Sequence, residues 1–82
     1  ISKNAFYGCN NLKDISLPEE LVSIEEKAFA NCDNVNKVYI SQKVQNIDDS
    51  AFLNSNNVVI VCHDDSFAKE YAINNNIKYE II

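Results

Sequence analysis

The 82-residue sequence contains no arginine, no methionine and no tryptophan, and only one glycine (Gly8), one proline (Pro18) and one histidine (His63). Several of these shortages exclude a class of function. Without arginine there is no planar fork for bidentate phosphate recognition. Seven scattered lysines against twelve acidic residues leave a net charge of −5, the wrong sign for nucleic acid or an anionic lipid surface. A single glycine cannot build a P-loop or a dinucleotide fingerprint. Three cysteines without a Cys-x2-Cys pair, beside one histidine, make a poor zinc set. No window approaches the roughly 18 apolar residues of a membrane span, and no signal peptide is visible.

What is present is globular in character: 46% hydrophobic and 23% charged residues, in a length that allows at most one domain. Asparagine is in excess at thirteen residues, which asks for a structural explanation. The chain opens on Ile1 rather than methionine, inside a repeat, which suggests a piece of something longer.

Self-similarity organises the rest. At an offset of 23 residues, Ala5-Phe6 returns as Ala28-Phe29 and Ala51-Phe52, and Cys9 returns as Cys32 and then Ser55. Leu12 becomes Val35 and Val58, Ile15 and Leu17 become Val38 and Ile40, and Ile1, Ile24 and Ile47 open the units. Within a unit, Leu12-x2-Ile15-x-Leu17 ends in strict alternation and predicts a short strand with one face buried. Leu21-x2-Ile24 predicts a second extended piece after a turn at Pro18, and Glu25 to Phe29 reads as barely one helical turn. Gly8, Asn31 and Asn54 share the position just after it, where a left-handed backbone is expected to end the turn. Asn11, Asn34 and Asn57 also coincide, and their stacked amides would form a ladder. Phe6, Phe29 and Phe52 are expected to stack on rungs about 4.8 Å apart.

The element Ile24-x3-Ala28-Phe29-x2-Cys32-x2-Val35-x2-Val38-x-Ile40 resembles the BspA-type leucine-rich repeats of bacterial and protist surface proteins, over nearly the whole chain. The resemblance implies a repeat solenoid: a right-handed β/α superhelix of short strands and one-turn helices. It divides the chain into repeats at 1–23, 24–46 and a shortened 47–63, followed by a C-terminal helix-strand cap at 64–82. Ser55 in place of a third cysteine, and the proline kept only as Pro18, depart from the pattern without altering it.

After Val58 a strict offset would bury His63. Deleting one residue aligns Ile60 with Val38 and Cys62 with Ile40 and restores the apolar face, because a one-residue shift reverses every side chain of a strand. His63 then points outward or starts the next loop. Asp64-Asp65-Ser66 is a helix-start signal, Phe67, Ala68, Tyr71 and Ala72 form an apolar stripe, Asn74 to Asn76 stop the helix, and Ile77 to Ile81 predict a closing strand. Nothing equivalent covers the start, so Ile1, Phe6, Leu12, Ile15 and Leu17 are expected to form an exposed edge prone to self-association through the first repeat.

Candidate sites are few. Cys9 and Cys32 lie one rung apart, within reach of a disulfide, but the plainer reading is a small buried thiol in each repeat. Glu25-Glu26 and Asp48-Asp49 could cluster as oxygen ligands for calcium, although acidic residues at helix starts have a simpler dipole role. No metal or cofactor is expected. The outward strand positions form the natural binding surface: Ser16 and Tyr39, with Val59 or Val61 beside them and Lys37, Ser41 and His63 flanking. An exposed tyrosine is a good interface anchor, and an ordinary solvated sheet face is the bland alternative. No triad, metal cluster or phosphate cradle is present, so an enzyme is not expected. The resemblance implies an extracellular or cell-surface location and a protein or glycan partner, with adhesion to host matrix proteins or to other microbes in some relatives. The alternative is a structural spacer or capping segment of a surface stalk.

Overall fold

The computed structural model describes residues 4–8, 14–32 and 35–82. Six short strands and one helix follow in order: β1 (Ile15–Ser16), β2 (Ser23–Ile24), β3 (Lys37–Tyr39), β4 (Asn46–Ile47), β5 (Val59–Cys62), α1 (Phe67–Asn74) and β6 (Lys78–Ile81). β1, β3, β5 and β6 form one parallel sheet in that order, and β2 pairs with β4 in a second. Parallel pairing requires the chain to travel round between neighbouring strands; here that return is made by turns and the short strands β2 and β4, and between β5 and β6 by α1.

Register follows the repeat. Ile15 pairs with Val38 and Ile24 with Ile47, each 23 residues on, whereas Val38 pairs with Ile60, only 22 on. The one-residue deletion read from the hydrophobic pattern is therefore real. Ile60 and Cys62 are fully buried, as are Val38 and Ile40 before them.

The interior is a set of stacked like residues. Phe6, Phe29 and Phe52 are parallel to within 6°, with centroids 5.0 and 5.2 Å apart. Ala28, Val35, Val44, Ala51 and Val58 fill the remaining space of one continuous core. Backbone bonds also run from rung to rung through the turns: Phe6 N–H donates to the Ala28 carbonyl at 2.7 Å, and Phe29 N–H to the Ala51 carbonyl at 2.7 Å. The turns are thus laddered as well as the strands.

Three expectations need correction. The expected one-turn helices are turns, closed by Ala28 N–H to the Glu25 carbonyl and Ala30 N–H to the Lys27 carbonyl. In the first two repeats Asn4 and Lys27, with φ of 59° and 55°, reverse the backbone before a helix can propagate. Leu17, expected at an exposed edge, is buried in the row it shares with Ile40 and Cys62. Phe67 turns partly outward, so the buried stripe of α1 is Ala68, Tyr71 and Ala72. The closing strand expected over Ile77 to Ile81, by contrast, does form: β6 lies beside β5 as a fourth strand, and all four of its residues remain exposed.

Other expectations hold. Gly8, Asn31 and Asn54 have φ of 69°, 56° and 61°. Leu21 N–H closes the turn on the Pro18 carbonyl at 3.1 Å. Ser66 caps α1, its hydroxyl accepting from Lys69 N–H at 3.2 Å. The asparagine ladder rests on Asn11 and Asn34, and the first-repeat edge on Ile1 and Leu12; these four lie outside the described residues, as does Cys9.

Candidate functional site: the outer face of the four-stranded sheet

Alternation places every second strand residue on the outer face. Register aligns Ser16, Tyr39, Val61 and Glu80 in one row across the four strands, with Lys37, Val59 and Lys78 in the next. Of the residues expected to bind, Ser16, Lys37 and Tyr39 are on this face. Ser16 and Lys37 are exposed and Tyr39 is half-buried. His63 follows β5 and sets its ring edge-on to Tyr39, at 6.4 Å and 72°.

Ser41 is a correction. It is 1% exposed, and its hydroxyl donates to the Glu19 carbonyl at 3.0 Å while accepting from Lys43 N–H at 3.3 Å. It occupies the repeat position of Pro18 and closes the matching turn, with Val44 N–H on its carbonyl at 3.3 Å. That correspondence was legible in the 23-residue offset.

Polar contacts fix the orientation of this face. Tyr39 Oη donates to Glu19 Oε1 at 2.8 Å, and this bond to the carboxylate holds the phenol above its ordinary range. Lys37 Nζ reaches over β5 to Glu80 Oε1 at 3.2 Å, and Lys37 N–H donates to Asp14 Oδ1 at 3.2 Å. A shallow depression lies between, lined by Asp14, Ile15, Ser16, Lys37, Tyr39 and Val61. Glu19, Glu80 and Asp14 escaped the sequence reading. Asp14 is one repeat before Lys37 and could have been found by the offset; Glu80 needed the pairing of β6 to be known.

The other candidates resolve locally. Cys32 is a buried thiol whose Sγ donates to the Phe6 carbonyl at 2.9 Å. Cys62 is buried too, and burial pushes its thiol upward, away from the reactive thiolate. Glu25, Glu26 and Asp48 border one depression with Ile24 and Asn46, but they stand at turns, where there is no helix dipole to favour them. Asp48 Oδ2 instead accepts from the Ser50 hydroxyl at 2.6 Å and Ser50 N–H at 2.9 Å, and these bonds hold its carboxyl below the usual range. Among the described residues no group of three or more His, Cys, Asp or Glu is arranged to hold a metal ion. Among them, too, no helix is long and apolar enough to cross a membrane.

Stacked parallel rungs, a ladder of equivalent phenylalanines and an open outer sheet define a leucine-rich-repeat protein. The chain belongs to the BspA-type family of these repeats: the model for a "BspA type Leucine rich repeat region (6 copies)" matches residues 1–80. No curated protein and no solved structure matches the chain.

Proposed function

We propose that this chain is a non-enzymatic binding module of a cell-surface or secreted protein, taking a protein or glycan partner on the outer face of its sheet. The fold in this reading is a right-handed solenoid with repeats at 1–23, 24–46 and 47–63, and residues 64–82 form its cap. The observation that carries it is the geometry of Tyr39. Its half-exposed ring lies edge-on to His63 and borders a depression shared with Ser16, Lys37 and Val61. An aromatic whose orientation is already fixed loses little entropy on binding, which makes it a good anchor. Membership of the BspA-type family supports the surface location, since these repeats typically belong to surface proteins. Adhesion to a host matrix protein is the narrowest form of this proposal.

A spacer role is the second reading, and one observation favours it. The Tyr39 hydroxyl and the Lys37 ammonium already have partners within the chain, in Glu19 and Glu80. A solid-phase panel of matrix glycoproteins and common glycans separates the two. Saturable binding that a Tyr39→Ala, Lys37→Glu double variant weakens at least about tenfold supports the module. Binding that the double variant leaves intact removes the site from this face, and silence across the panel favours the spacer.

A further inference from the structure

Among the described residues β6 pairs on one side only. β6 is an edge of the four-stranded sheet. Tyr79 stands in register with the buried Ile60, yet it is 39% exposed; Ile81, in register with the buried Cys62, is 45% exposed, and Ile82 beyond it is 63% exposed. The rows that are core in β5 become surface in β6. An apolar edge of this kind accepts another strand unless something blocks it.

Backbone alternation identifies the groups that remain free. Ile82 N–H donates to the Cys62 carbonyl at 3.0 Å, so the even-numbered residues of β6 direct their backbone groups to β5. Tyr79 and Ile81 then direct theirs to the open edge, while the N–H of Ile77, just before the strand, is taken by the Ala72 carbonyl at 2.9 Å. On the outer face between them stand one cation and one anion, Lys78 and Glu80. Lys78 makes no ion pair among the described residues, and Glu80 pairs only with Lys37 among them.

We propose that this edge binds the same edge of a second copy of the chain, antiparallel, on a two-fold axis at Tyr79. In that register the two Tyr79 residues exchange both backbone hydrogen bonds. Each Ile81 N–H meets the Ile77 carbonyl of the second copy, and each Lys78 stands opposite a Glu80. The charge pattern selects the centre. A two-fold at Glu80 sets carboxylate against carboxylate, and one at Lys78 sets ammonium against ammonium, both unfavourable across strands. Only the Tyr79 centre is self-complementary, as an isologous interface requires. The two apolar rows of Ile77, Tyr79 and Ile81 then continue into each other, and two four-stranded sheets become one of eight strands. Both Tyr39 faces lie on the same side of that sheet, so a multivalent ligand would meet two of them.

Sedimentation velocity of the 82-residue chain, from low micromolar to about 1 mM, tests the proposal in the range where a small interface associates. The expected result is a monomer–dimer equilibrium. Lys78→Glu and Glu80→Lys should each weaken the dimer at least about tenfold. An equimolar mixture of the two variants should restore it, because two acids then face two bases. Ile81→Pro removes an N–H that only the second copy would use, and should abolish the dimer without loss of the far-ultraviolet dichroism. Should that variant fail to fold, the charge variants and their mixture decide. A wild-type chain that stays monomeric throughout overturns the proposal. So does growth beyond the dimer, which would indicate head-to-tail stacking on β1. A dimer untouched by the charge exchange overturns it as well, and would place association elsewhere, as in the first repeat.

Discussion

Ser55 does for the third repeat what Cys32 does for the second. The Cys32 thiol donates to the carbonyl of Phe6, and the Ser55 hydroxyl donates at 2.5 Å to the carbonyl of Phe29, the equivalent residue one rung on. Ser55 also accepts from Cys32 N–H at 3.0 Å, which ties the two positions to each other. The cysteine of this repeat therefore serves as a small buried donor to the backbone of the neighbouring rung, and a hydroxyl can replace it.

Substitution at Ser55 should separate size from hydrogen bonding. Ser55→Ala leaves a buried N–H and a buried carbonyl short of a partner and should cost about 2–3 kcal/mol. Ser55→Cys keeps a donor and should cost less than half of that. Urea denaturation of the two variants measures the difference; equal losses would show that a thiol donor does not stand in for the hydroxyl here.

The phenylalanine stack should dominate the packing energy. Phe29 is fully buried between Phe6 and Phe52. Phe29→Ala should cost about 3–5 kcal/mol, enough to unfold a chain of this size. Phe29→Leu fills most of the space and should retain a cooperative thermal transition at a lower midpoint.

Backbone strain gives predictions of opposite sign. Lys27 adopts a left-handed conformation without the side chain that tolerates it, whereas Asn54 adopts it with one. Lys27→Gly should stabilise by about 0.5–1 kcal/mol, and Asn54→Ala should destabilise by about 1 kcal/mol. Chemical denaturation of both variants beside the parent checks the pair of signs, and a loss at Lys27→Gly would refute the strain argument.

Alkaline stability should report on Tyr71. The ring is buried against Phe52, and burial pushes its phenol from 10.0 up to about 12. The folded state thus favours the protonated phenol. Its contribution is complete below the unfolded value near 10 and is lost as pH rises toward 12. Tyr71→Phe has no phenol to ionise and should flatten the fall in melting temperature over that window. A parallel decline in both proteins would assign alkaline unfolding to other groups.

The sequence by itself determined the periodic part of this protein. A 23-residue offset, one deletion after Val58, left-handed positions at Asn31 and Asn54, and a serine cap at Ser66 were all readable. Each is a local rule of side-chain alternation, backbone sterics or capping, repeated until the signal is clear. The outer row of Ser16 and Tyr39 followed from the same alternation. Only the tertiary structure decided what depends on a neighbour. Lys27 reverses its turn in a ladder whose Lys27 N–H donates to Ser50 Oγ at 3.2 Å, so a stretch with helical spacing formed no helix. Ser41 was drawn into a turn by the Glu19 carbonyl, and Lys37 found Glu80 on a strand with no counterpart in the repeat. β6 joined the sheet with its core row still exposed, and no spacing rule within one strand specifies what lies beside it. Periodicity fixes which way a side chain faces; what it faces is set by the adjacent rung.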